Sequence, residues 1–136
     1  MRAMGLDIGS VTVGVALSDG LKMIANSLKV IRYEVEDDNL FKEIAELIKQ
    51  NEVDELIVGM PYHMNGDFST GCERTRRFEE GIKKFIDIKI IEIDERMSTI
   101  SANNALLAFD VSRKKRKQVV DKVAATVILQ SYLDRR

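Results

Sequence analysis

Residues 5–19 read GLDIGSVTVGVALSD: a short apolar strand broken by one acid, a glycine turn, then a second apolar strand. The pattern predicts a β-hairpin, with strands at 3–8 and 12–18 joined through Gly9 and Ser10. Asp7 is the anomaly in it. An ionised side chain where a strand should feed the core is costly unless a cation, a metal or a set of donors compensates it. What compensates Asp7 decides what the chain does.

The hairpin opens a longer pattern. A third strand is expected over 27–34, with Leu28, Val30 and Ile31 as its apolar positions. Asp37, Asp38 and Asn39 offer N-caps for a helix running to Gln50, whose Leu40, Phe41, Ile44, Ala45, Leu47 and Ile48 recur at helical spacing. Residues 55–60, ELIVGM, read as a central strand buried on both faces, and Pro61 stops it. A polar loop at 61–71 leads to a helix over 72–86, then to a second buried strand at 88–94, IKIIEID. Ser98 or Thr99 caps a helix to Phe109, and a last helix spans 117–134.

The order β-β-β-α-β-α-β-α-α predicts an α/β fold. Short turns make the three leading strands antiparallel, and helical crossovers make the other two parallel. The result is a mixed five-stranded sheet flanked by helices, in one domain over residues 1–136. Ligands of such sheets gather at the carboxyl ends of the strands.

The chain has 136 residues, of which 45% are hydrophobic and 32% charged, enough for one full core. No apolar run approaches the roughly 20 residues of a membrane span, and the N-terminus enters a strand directly rather than reading as a signal peptide. The single cysteine, Cys72, excludes an internal disulfide framework and suits a reducing, cytoplasmic setting. With a net charge of −1, any binding of nucleic acid must come from a local patch.

Such a patch exists. Arg113, Lys114, Lys115, Arg116 and Lys117 are consecutive, and Asp121 follows one turn later in the last helix. A charge run of this kind is either a solvated helix entrance or a clamp on phosphates. Asp7, Asp94 or Glu95, and Asp121 come from three elements that could converge. Close carboxylates repel unless a cation joins them, and their oxygens suit Mg²⁺ or Mn²⁺. Two such ions about 3.5–4 Å apart can drive in-line attack on a phosphodiester. Strand alternation lets only one of Asp94 and Glu95 face Asp7; Glu95 has the longer reach.

These segments together resemble one family. GLDIGSVTVGVALSD, VDELIVGMPYHMNGD at 53–67, DERMST at 94–99 and DKVAATVILQSYLD at 121–134 look like the YqgF (RuvX) family of RNase H-like nucleases, in order and over almost the whole chain. The resemblance implies a ribonuclease H-like fold and a metal-dependent nuclease that matures the 5′ end of pre-16S rRNA, or alternatively resolves four-way DNA junctions. It puts the family's acids on Asp7, Glu95 and Asp121. Many members carry basic residues after the first glycine turn; here Val11 and Thr12 stand there.

Arg96 either bridges Asp94 or touches the phosphate. Tyr62 and Phe68 either stack on bases or pack locally, and Arg74, Arg76 and Arg77 either extend the basic surface or are solvated. His63, the only histidine, has no partner acid in a motif and reads as exposed. The expected partners are pre-rRNA or a DNA junction, and with them the ribosomal particle, for a monomer or homodimer without a membrane role. Two rivals remain. The D-x-G-[ST] turn also resembles the phosphate hairpin of actin-like and sugar-kinase ATPases, which need a second domain. A non-catalytic RNA-binding assembly factor would gain nothing from acids beside phosphates.

Overall fold

A computed structural model of the protein describes residues 1–60, 70–94 and 113–135, with the helical backbone alone at 70 and 113–122. Five strands form one sheet: β1 (Arg2–Ile8), β2 (Thr12–Ser18), β3 (Ala25–Arg32), β4 (Val53–Met60) and β5 (Lys89–Asp94). Their order is β3-β2-β1-β4-β5, so β1 is central. The first three strands pair antiparallel, and β4 pairs parallel to both β1 and β5, as the sequence predicts.

Two helices cover one face: α1 (Asp38–Gln50) and α2 (Thr70–Lys83). Asp37 caps α1, its carboxylate accepting from the Leu40 amide at 3.0 Å. Met4, Leu6, Ile8, Val13, Val15, Leu56 and Val58 pack there against Leu40, Phe41, Ile44 and Ile48 of α1 and Phe78 and Ile82 of α2. Cys72 is buried near the start of α2, as a small apolar filler.

A third helix, α3 (Arg113–Arg135), crosses the other face. Its Ala125, Ile128, Leu129 and Leu133 meet Ala3, Ala16, Ala25, Ile57 and Ile93. The two faces differ in side-chain size, which lets α3 lie very close. A Cβ on Gly5 would stand 2.8 Å from Leu129 Cβ and 2.9 Å from the Ala125 carbonyl oxygen.

Four sequence expectations shift. The third strand lies at Ala25–Arg32 rather than 27–34; among the described residues it is a sheet edge, and Leu28 is 39% exposed. Among the described residues the strand ending at Asp94 is the other edge, and it is only partly buried, not a strand covered on both faces. The second helix begins and ends earlier, at Thr70 and Lys83. The last helix starts at Arg113, so the basic run belongs to its first turns instead of preceding it. The helix expected up to Phe109 lies outside the described residues.

Candidate functional site

The site is read from the alternation along β1. Met4, Leu6 and Ile8 enter the core beneath α1 and α2. Ala3 packs under α3, and Gly5 lies within van der Waals reach of it. Asp7 has the same parity, so it sits on the α3 face, at the carboxyl end of the central strand, half-buried. It therefore stands outside the large apolar core, at the edge where ligands of such sheets gather. Among the described residues its carboxylate has no hydrogen bond or ion pair. A half-buried carboxylate without a donor is the kind of hard oxygen ligand a divalent cation takes.

The turn after Asp7 is tied on several sides. The Gly9 N–H donates to the Thr12 carbonyl at 2.8 Å, and the Tyr33 N–H donates to the Val11 carbonyl at 3.0 Å. The Tyr33 hydroxyl donates to the Gly9 carbonyl. Burial raises the Tyr33 hydroxyl above the ordinary tyrosine value, against the lowering field of Arg74.

The register separates the two acids at the end of β5. Leu6 pairs with Val58, Gly5 with Ile57, Gly59 with Ile93 and Met60 with Asp94. Parallel partners share a face, so Ile93 falls on the Asp7 side, where it packs against the α3 cluster. Asp94 falls on the face of α1 and α2. Its neighbour of equal parity, Glu92, lies 3.7 Å from Arg76 of α2. Asp94 is thus turned away from Asp7, and β4 intervenes between their strands. At about 4.8 Å per strand, the ends of β1 and β5 are roughly 10 Å apart. Glu95 and Arg96 lie outside the described residues, as do Tyr62, His63 and Phe68.

The direction of α3 follows from its contacts. Its Tyr132 hydroxyl donates to Glu55, near the start of β4, and Glu55 is in register with Ala3. Ala125 and Leu129 lie at Gly5. The helix therefore runs antiparallel to β1, and its backbone before Ala125 extends toward the Asp7 end. Position 121 is one turn before Ala125, and 113–117 begin the helix; the side chains of these residues are not among those described. Among the described residues no three of His, Cys, Asp and Glu converge on one point.

Two of the α2 arginines are engaged. Arg77 reaches Glu36 at 3.1 Å, and Arg76 reaches Glu92. Sequence reading missed Tyr33 and Arg32. Arg32 pairs in register with Thr12, shares the Asp7 face by parity, and is exposed. Tyr33 and Arg32 also line a cleft of about 490 Å³ with Val11 and Glu34. The signal was present in register: a three-strand meander must return its third strand to the turn of the first hairpin. It was obscured because the strand was expected two residues later.

Comparison with known proteins adds to this geometry. The family model described as "RuvX: Holliday junction resolvase" matches residues 1–135. A Bacillus cereus protein named "Putative pre-16S rRNA nuclease" is 45% identical over 137 residues, covering all of both chains. Among solved structures, Thermus thermophilus RuvC in complex with a Holliday junction substrate superposes with a TM-score of 0.61 at 12% identity, over 99% of this chain and 95% of that one. The fowlpox virus Holliday junction resolvase gives 0.57 at 13% identity, over the whole of both chains. These two likenesses establish the RNase H-like fold.

Proposed function

Because the chain belongs to the RuvX family of nucleases, we propose that it hydrolyses phosphodiester bonds of pre-16S rRNA at the 5′ end, using Mg²⁺ or Mn²⁺. The observation that carries this reading is Asp7, half-buried at the carboxyl edge of the central strand and without a partner among the described residues. Asp7, Glu95 and Asp121 are the proposed metal ligands and catalytic residues. Three points support the set. Asp7 is on the α3 face, the α3 backbone runs toward that end, and Asp94 is turned to the opposite face. Bound metal would supply an activated water and stabilise the leaving oxygen.

Arg113, Lys114, Lys115, Arg116 and Lys117 are the proposed phosphate clamp, with Arg96 beside the acids. Lying in the first turns of a helix already directed at the Asp7 end, they would hold the backbone while the acids act on one bond. The whole chain, 1–136, acts as one domain in this reading, and a pre-rRNA substrate, free or within a ribosomal particle, would be met in the cytoplasm. The description of the matching family model favours a second reading, cleavage of a four-way DNA junction.

One assay separates them. The purified protein and its Asp7→Asn variant are incubated with Mn²⁺ or Mg²⁺, an end-labelled precursor 16S leader, and a four-way junction. Cutting of the RNA that Asp7→Asn abolishes is the expected result. Paired symmetric nicks in the junction alone would select the second reading. Undiminished cleavage by Asp7→Asn would overturn the metal site. Metal-dependent binding without any cutting would make the protein a non-catalytic RNA-binding factor.

A further inference from the structure

One residue, Ile8, separates Asp7 from the turn, and its side chain is fixed in the core beneath α1 and α2. The ladder to β2 holds the Asp7 backbone, paired with Gly14, and the turn from Ile8 to Thr12 closes that ladder just beyond the acid, so its geometry bears on where the carboxylate sits. That backbone is glycine-initiated and short, and its own closure is the single Gly9-to-Thr12 bond at 2.8 Å. The remaining ties come from Tyr33. Its N–H holds the Val11 carbonyl and its hydroxyl holds the Gly9 carbonyl, so both limbs of the turn are fastened to the end of β3.

Tyr33 is itself held rigidly. Its ring meets Phe78 edge-on, with centroids 5.5 Å apart at 65°. Phe78 meets Phe41 at 5.2 Å and 84°. An aromatic stack thus runs from α1 through α2 to the turn beside Asp7. Packing alone asks only for a ring, and phenylalanine would serve it. The hydroxyl spends itself on a turn carbonyl two residues from the candidate ligand.

We infer that Tyr33 is a positioning residue, whose hydroxyl bond to the Gly9 carbonyl orients Asp7 for its cation. The inference rests on the metal-dependent reading of Asp7. Groups that orient a metal ligand typically change affinity or activity by about tenfold or more when removed.

The test uses the full chain, its Tyr33→Phe variant, and Ile48→Val as a control that loses a core methyl beside Met1 and Val53, at the opposite end of the sheet from the turn. Carboxyl-¹³C aspartate labelling gives a signal for Asp7, assigned by its loss in Asp7→Asn. Mn²⁺ is titrated and the broadening of that signal followed, alongside amide exchange at residues 9–12. In Tyr33→Phe the Mn²⁺ half-saturation should rise about tenfold, exchange in the turn should quicken, and kcat should fall with KM for the RNA unchanged. Ile48→Val should lower the unfolding temperature and leave all three alone. Equal Mn²⁺ broadening in the wild type and Tyr33→Phe would overturn the inference and leave the metal site standing. No broadening of Asp7 in the wild type would overturn both.

Discussion

Asp7 is acceptable where it stands because β1 divides its residues by size. Met4, Leu6 and Ile8 fill the core on one side, while Ala3 and Gly5 admit α3 on the other. That division was legible as alternation in the sequence; its consequence for Asp7 was not, because only the helix contacts say which face is which. Gly5→Ala tests the close approach. The new methyl would meet Leu129 Cβ at 2.8 Å and backbone at 2.9 Å, so α3 must shift. Overpacking of this kind costs about 1–3 kcal/mol, measurable by denaturant unfolding. Cleavage should fall further than stability does, since the same helix carries position 121. Wild-type unfolding and cleavage in Gly5→Ala would show that the approach is not tight.

Glu79 offers a pH-dependent test at the same scale. Burial, then the neighbouring charge of Glu92, holds its carboxyl above the ordinary value of 4.5. Its Oε1 is buried without a hydrogen-bond partner among the described residues. A raised carboxylate pKa means that the folded state binds the proton more tightly. Its stabilising effect is thus present below 4.5 and is lost as pH rises through the higher folded value. Glu79→Gln should raise the unfolding temperature at neutral pH, and the gain should vanish in acid. A gain of equal size at low pH would show that desolvation of the charge is not the cause.

At the scale of elements, type and order were readable where periodicity was long. The hairpin, α1 with its Asp37 cap, and the β4 run ending at Met60 follow directly from alternation, capping and apolar continuity. The edges were less legible. IKIIEID has the composition of a buried strand, yet among the described residues no further strand covers its outer side, and composition does not state how many strands a sheet has. The start of α3 falls earlier than the expected 117 because five consecutive cations carry no apolar periodicity to mark them as helix. Within a helix they hold a defined spacing, which suits a clamp. Neutralising Lys114 and Lys115 together should weaken nucleic-acid binding and flatten its dependence on salt. On a single strand, every phosphate that is no longer neutralised lowers the slope of log K against log salt by about 0.7. An unchanged slope, read by fluorescence anisotropy across salt concentrations, would show that those lysines do not touch the backbone.

Across the whole molecule, the two ends of the sheet do different work. The carboxyl end of β1 bears Asp7. The opposite end is fastened by a polar knot. Lys22, in the β2–β3 turn with φ 56°, lies 2.8 Å from Asp54 and 2.5 Å from Glu55, and Tyr132 of α3 also donates to Glu55. Gln130 adds bonds to the Met23 carbonyl at 3.0 Å and from the Ala25 amide at 2.9 Å. The knot fixes the C-terminal half of α3 to β3, β4 and the β2–β3 turn, while its N-terminal half extends toward the site. A left-handed lysine is unfavourable by itself, and burial disfavours its charge, but Asp54 and Glu55 hold the ammonium above its ordinary value. Lys22 and Glu55 side chains are only 12% and 11% exposed. Removing one partner of such a pair leaves a buried charge uncompensated, at a cost of about 3 kcal/mol. Lys22→Met should therefore lower the unfolding temperature by about 10 °C for a chain of this size. Lys22→Met with Glu55→Gln should recover part of the loss, because the stranded charge is gone. Metal-dependent cleavage at 25 °C, per folded molecule, should match the wild type in both, since the knot is at the far end from Asp7. Calorimetry paired with the cleavage assay reads both quantities. Loss of activity without loss of stability would mean that the far end of α3 sets the geometry of the site, and that the two ends are coupled through the helix.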